Sequence, residues 1–175
     1  MNIHLFKNIV YAKIISYLSP IFNINFPNIF AINCDPGRSI KIITSKTEHP
    51  SVLNPCRQLE EQGVEVHYLD VNRFGRIDIN NLESQITEST ALISLQHANS
   101  ETGVLQDIKK VSELARSNGV LFHTDAVQSV AKIEFDLKDY PVDMLSISAH
   151  KFNGPKGVGA LFLRKGTPAL FAPVS

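Results

Sequence analysis

Between Ile40 and Leu163, short apolar runs alternate with amphipathic stretches, and no other feature of the chain limits its possible folds as strongly. Residues 40–44 (Ile-Lys-Ile-Ile-Thr) read as a short buried strand, 50–62 as a helix, 64–69 as an alternating strand and 80–86 as a short helix. Residues 91–95 form an apolar strand. Residues 107–117 are a predicted helix with Ile108, Val111, Leu114 and Ala115 on one face, closed by Asn118 and Gly119. Residues 120–122, 142–147 and 157–163 complete the series as strands. Pro50 suits a first helical turn, and Gly63 suits the position just past a helix end. Strands and helices alternating at this spacing predict βαβ units: an α/β fold with a mostly parallel sheet and flanking helices. Ligands of such sheets sit at the carboxyl ends of the strands, which is where chemistry is expected.

With 175 residues, the chain can bury one real core. Lys+Arg and Asp+Glu number 17 each, so the formal net charge is zero. That balance speaks against a nucleic-acid partner, which asks for a basic surface. It leaves room for a small anionic ligand held by a few local donors. Cys34 and Cys56 form no Cys-x-x-Cys pair, so neither a disulfide framework nor a metal site is predicted. A reducing cytoplasmic compartment is the default.

Composition breaks near Ser39. Residues 1–39 are rich in Asn, Ile and Phe without a steady period and stay unassigned; residues 40–175 read as the domain. Pro20, Pro27, Asn23, Asn25 and Asn28 interrupt the apolar stretch from Ile14 to Ile32, and a membrane span wants roughly 20 predominantly apolar residues. Lys7 and Lys13 ahead of residues 14–18 faintly suggest a signal peptide, but no clear small-residue cleavage site follows. Neither a membrane span nor secretion is expected.

Polar residues gather after four strands. The first strand runs into Ser45-Lys46-Thr47-Glu48-His49, and another into Gln96-His97-Ala98-Asn99-Ser100-Glu101-Thr102-Gly103. The two remaining strands run into His123-Thr124-Asp125-Ala126-Val127-Gln128 and Ser148-Ala149-His150-Lys151. A lysine at a partly buried strand end can lose its proton to desolvation, and a neutral amine is what a Schiff base requires. Taken alone, Lys151 reads more readily as an exposed lysine at a loop start. Asp125 could keep a pyridine nitrogen protonated, or it could be a helix cap or turn aspartate. His49 could stack on a flat ring or move protons, or it could cap a helix. Gly154-Pro155-Lys156-Gly157 reads as a tight turn, because the phosphate-loop pattern is absent.

Together these segments resemble the cysteine desulfurases, within the class V aminotransferase group of fold-type I pyridoxal 5′-phosphate (PLP) enzymes. The matching text is Ile42-Ile43-Thr44-Ser45-Lys46-Thr47-Glu48-His49, His97-Ala98-Asn99-Ser100-Glu101-Thr102-Gly103, His123-Thr124-Asp125-Ala126-Val127-Gln128-Ser129 and Ser148-Ala149-His150-Lys151-Phe152-Asn153-Gly154-Pro155-Lys156-Gly157. The four occur in the family's order and spacing. The resemblance implies part of the large PLP-binding domain, with Lys151 holding the cofactor and moving protons at the substrate's α-carbon. It implies that Asp125 pairs with the pyridine nitrogen and Gln128 bonds the phenolic oxygen. Ser148 and His150 would contact the phosphate, and His49 would stack on the ring and transfer protons. The implied reaction takes sulfur from L-cysteine, leaving L-alanine and a persulfide on an enzyme cysteine. Iron–sulfur cluster assembly, a sulfur-acceptor protein and a homodimer belong to the same picture.

The chain also departs from the family. Ser100 stands where the family places an asparagine near the phenolic oxygen, with Asn99 one step earlier. Leu18-Ser19-Pro20-Ile21-Phe22 does not match the family's phosphate-binding turn. The family continues well beyond Ser175, through its persulfide-forming cysteine and the arginine that binds the substrate carboxylate. Cys34 and Cys56 match neither position of the nucleophile, and Cys56 reads as a buried structural thiol. A catalytically inactive remnant, or one part of a split enzyme acting through a partner chain, is the alternative reading. A nucleotide-binding α/β domain fits less well, since no phosphate loop is present.

Overall fold

Strand β1 spans Lys13–Ser16, and β2, Lys41–Ser45, leads into helix α1, Pro50–Glu61. Strand β3 (Glu65–Leu69), helix α2 (Ile79–Gln85), strand β4 (Thr90–Gln96) and helix α3 (Ile108–Ser117) follow. Strands β5 (Leu121–Asp125), β6 (Met144–Ser148) and β7 (Val158–Leu163) complete the strands among the described residues. The computed structural model describes the strand backbone of residues 13–16 and all of residues 39–167. The seven strands lie in the order β1-β7-β6-β5-β4-β2-β3. Strands β2 to β6 run parallel, while β7 pairs antiparallel with β6 and β1 antiparallel with β7. The expected mostly parallel α/β sheet is what the chain forms.

The central strands are apolar because both of their faces are covered. Every residue of β2 is buried. Successive side chains point to opposite faces, so adjacent residues feed different cores. Ile43, Ile93, Leu95 and Phe122 pack with Leu82 of α2 and Ile108, Val111 and Ala115 of α3. Ile42 and Leu92 pack on the other face with Val52, Cys56 and Leu59 of α1. Two helix ends follow the sequence closely: Pro50 occupies the first turn of α1, and Gly63, just past its end, takes a positive φ of 88°.

Three differences from the sequence reading matter. β1 lies in a stretch that showed no period, and its partner β7 is far along the chain. β5 does not end at Phe122 but runs on through His123 and Thr124, both fully buried, to Asp125. Val142 is buried but precedes β6 rather than belonging to it. Cys34 and the Leu18–Phe22 departure lie outside the described residues. No helix among the described residues is long and apolar enough to cross a membrane.

Candidate functional site

The order β6-β5-β4-β2 sets four loops side by side at the carboxyl edge of the sheet, and these loops and the strand ends that feed them carry every candidate cofactor residue. The loop after β2 ends in His49, which is exposed and caps α1. Its Nδ1 accepts the Ser51 backbone N–H at 3.1 Å and lies 2.8 Å from the Ser51 hydroxyl. A backbone N–H can only donate, so Nδ1 is the acceptor and the neutral ring carries its proton on Nε2. The ring also stands close enough to Asp125 that a positive charge on it would favour the ionised carboxylate.

Asp125 is the last residue of β5 and is half-buried. One carboxylate oxygen accepts the Val127 N–H at 2.9 Å. Burial pushes its pKa up, against the lowering effect of that N–H and of His49. No lysine or arginine among the described residues forms an ion pair with it. Gln128, one turn further on, is half-buried, and its Oε1 accepts a hydrogen bond from Lys132 Nζ at 3.2 Å.

Lys151 sits in a 3-10 turn, Ala149–Phe152, directly after β6. It is half-buried, and its ammonium makes no hydrogen bond or ion pair with any described residue. The turn owes its shape to Gly154, whose N–H donates to the Ala149 carbonyl at 2.8 Å. A Cβ on Gly154 would stand 2.7 Å from the Ala149 Cβ, a distance that side chains do not tolerate. Just ahead of Lys151, the Ser148 hydroxyl lies 2.8 Å from His150 Nδ1.

On the loop after β4, Ser100 is exposed and its hydroxyl donates to the Glu101 carboxylate at 3.3 Å. Asn99, one step earlier, has its side chain used within the fold. Its Oδ1 accepts the N–H groups of Glu101 and Thr102, each at 2.9 Å, and its Nδ2 donates to the Thr47 carbonyl at 3.1 Å. The structure thus joins Ser148 to His150 by hydrogen bonding and His49 to Asp125 by charge. Lys151, Gln128 and Ser100 share the edge without bonding to the others.

Two residues at this edge escaped the sequence reading. Glu48 is buried at 5% exposure: its Oε1 accepts the Ser45 hydroxyl at 2.7 Å, while its Oε2 has no partner among the described residues. Burial raises its pKa to about 8 despite the help of Ser45 and the Gln96 N–H, and the nearby Asp125 adds to the rise. Gln96, the last residue of β4, is also buried and donates from Nε2 to the Thr47 carbonyl at 2.7 Å. Both stood in plain view at strand ends, but neither residue type there names a chemistry by itself.

PLP asks for an amine, an acid for its ring nitrogen and donors for its phosphate. The edge supplies Lys151, Asp125 and the Ser148–His150 pair. The raised pKa of Asp125 is what a buried carboxyl shows when it faces no lysine or arginine, and a cationic ring nitrogen would reverse it. The donor set fits the group.

The profile of the family described as Aminotransferase class-V matches residues 27–175. The cysteine desulfurase IscS of Buchnera aphidicola subsp. Acyrthosiphon pisum is 52% identical over 124 residues, which cover 71% of this chain and 31% of that protein. The IscS of Pectobacterium carotovorum subsp. carotovorum is 53% identical over the same extent. The chain therefore spans about a third of the length of the curated relatives it matches. Among solved structures, SspA in complex with cysteine superposes with a TM-score of 0.75 at 40% identity, covering 78% of this chain and 40% of that one. A NifS-like protein superposes with a TM-score of 0.75 at 39% identity, covering 80% of this chain and 38% of its own.

Proposed function

This chain belongs to the class-V aminotransferase family, and from that premise we propose that it is the cofactor-holding part of a PLP-dependent cysteine desulfurase. One observation carries the reading: Lys151, without an ion-pair partner among the described residues, sits on a turn that Gly154 closes, one strand away from the Asp125 carboxyl, which pairs with no described lysine or arginine. The names of the relatives and the cysteine bound to SspA support L-cysteine as the substrate. In this reading residues 40–175 form part of the large domain; the family match begins at residue 27, and β1, from residues 13–16, adds an edge strand to the same sheet.

Lys151 holds PLP through its amine, and Asp125 faces the ring nitrogen. Gln128 and Ser100 lie on the phenolic-oxygen side, Ser148 and His150 take the phosphate, and His49 covers the ring. When bound, PLP supplies the electron sink for bond changes at the substrate. Asp125 keeps the ring nitrogen protonated by its negative charge. Lys151 moves a proton at the substrate's α-carbon, for which its amine must be neutral. With Nδ1 held by the helix cap, Nε2 is the ring nitrogen of His49 left to serve in proton transfer. The products are L-alanine and sulfur on an acceptor thiol. Cys56 is not that thiol: it is fully buried in α1, and burial pushes its pKa up to about 12, far from the thiolate a nucleophile needs. The acceptor lies on another part of the enzyme or on an acceptor protein. A homodimer in the cytoplasm completes the reading.

The test is PLP attachment. Purified chain is mixed with PLP, the visible band is recorded, and borohydride reduction is followed by peptide mapping. Label on Lys151, lost in Lys151→Ala, is the expected result. A folded chain that takes no label at Lys151 would overturn the cofactor reading and leave an inactive remnant, or a chain completed by a partner. Desulfurase activity is then measured with and without the complementary polypeptide, because the matched relatives are about three times longer than the stretch they share with this chain.

A further inference from the structure

The residues just ahead of His49 are held more tightly than a surface loop usually is. Gln96 Nε2 reaches the Thr47 carbonyl at 2.7 Å and the Thr47 hydroxyl at 3.2 Å. Asn99 Nδ2 reaches the same carbonyl at 3.1 Å. The Ser45 hydroxyl lies 3.1 Å from the Thr47 hydroxyl and donates to Glu48 at 2.7 Å. The loop from β2 to α1 is thereby fastened to the end of β4, and Gln96 makes the shortest bond to Thr47.

Gln96 also touches the other half of the site. In the parallel register of β4 and β5 it lies directly beside Asp125, and the Asp125 carbonyl accepts the N–H of the next residue, His97, at 2.9 Å. One buried residue thus has Asp125 on one side and the His49 loop on the other. We propose that Gln96 is a positioning residue that fixes the distance and angle between His49 and Asp125, and so the two protein groups that face the cofactor ring. The proposal rests on the cofactor reading above. It assigns a role to a carboxamide that touches no cofactor atom itself. A carboxamide suits the task because it donates to a carbonyl without bringing charge next to the buried Glu48 and the half-buried Asp125.

Gln96→Met keeps the length and bulk of the side chain and removes its donors. Two measurements follow. In the cofactor-free chain, amide hydrogen exchange at Ser51, whose N–H rests on His49 Nδ1, should speed up about tenfold, while core amides of β4 and β5 keep their wild-type rates. In the loaded chain, Lys151 should still be labelled, but PLP should bind about fivefold to tenfold more weakly and the pH midpoint of its visible band should move. Wild-type exchange at Ser51 together with an unmoved band would overturn the proposal. Thr47→Val removes the hydroxyl half of the contact and should shift both readouts in the same direction by about twofold; if Gln96→Met does not fold, an unchanged Thr47→Val overturns the proposal. If the wild-type chain takes no PLP, the cofactor reading falls, and Ser51 exchange still decides whether Gln96 holds the His49 loop.

Discussion

Two sets of polar residues lie on the same strands, a few residues apart, and the fold treats them in opposite ways. In the middle of the sheet, His123 of β5 reaches Ser94 of β4 through Nδ1 and Ser146 of β6 through Nε2, each at 2.8 Å. Beside this row, the Thr44 and Thr124 hydroxyls donate to the carbonyls of Ser94 and Leu95, each at 2.9 Å. Each of these side chains is buried and bonded. At the carboxyl edge, among the described residues, Glu48 keeps a buried oxygen without a partner, Asp125 pairs with no lysine or arginine, and Lys151 has no ion pair. A closed polar network serves the fold, because every desolvated group is compensated within it. An open one at a strand end is where a ligand's atoms complete the set. Residue type does not separate the two: His123 and His49 both belong to family-like motifs, yet the first is sealed inside the sheet and the second stands at the surface.

The largest expected effect sets one region against the other. His123→Ala would open a cavity between three strands and leave the Ser94 and Ser146 hydroxyls unpaired, costing about 3–4 kcal/mol in urea unfolding. Lys151→Ala should change stability by less than about 0.5 kcal/mol, since its ammonium has no partner to lose among the described residues, while abolishing PLP label. The comparison breaks if the two variants trade places.

Gly154→Ala tests whether the open edge depends on exact backbone shape. The added Cβ would meet the Ala149 Cβ at 2.7 Å and the Ala149 carbonyl oxygen at 3.0 Å. The turn must shift, at a cost of about 1–3 kcal/mol, the range of overpacked sites. Lys151 rides on that turn, so labelling should fall by more than the stability loss explains. Labelling at the wild-type level would show that the Lys151 turn tolerates displacement.

Much of this was legible in the sequence, and what was not shares one cause. The strand–helix alternation, the caps of α1 and the four polar strand ends follow from local pattern, and the structure keeps them. The length of β5 was misread because apolar pattern stops at Phe122. His123 and Thr124 stay inside the strand because Ser94, Leu95 and Ser146, on neighbouring strands, receive their polar atoms. Gln96 went unnoticed because its partner Thr47 lies 49 residues away in the chain. β1 pairs with the last strand, and nothing within residues 13–16 announces that. Period and caps report local preference, whereas satisfaction of a buried polar atom is a property of the assembled sheet.

The pH dependence of stability offers a finer test, because the two regions push it in opposite directions. Burial lifts the Glu48 pKa from its ordinary 4.5 to about 8, so the folded chain holds a proton that the unfolded chain has lost. Stability therefore falls as pH rises from about 4.5 to about 8. Burial lowers the His123 pKa from 6.5 to about 4, so the unfolded chain binds the extra proton, and stability rises with pH between about 4 and 6.5. Asp125 adds to the Glu48 side in the acid range, and His97, also lowered by burial, adds to the His123 side. The opposing slopes largely cancel between about pH 4.5 and 6.5. Above pH 6.5 the Glu48 slope stands alone, and Cys56, with its raised pKa, enters only above about pH 8. Urea unfolding should thus show a loss of about 1–2 kcal/mol from pH 6.5 to 8. Glu48→Gln should be flat over that window, because the amide keeps the neutral form without a proton to lose. If wild type and variant are both flat, the Glu48 carboxylate has a partner in solution, and the carboxyl edge is as closed as the sheet interior.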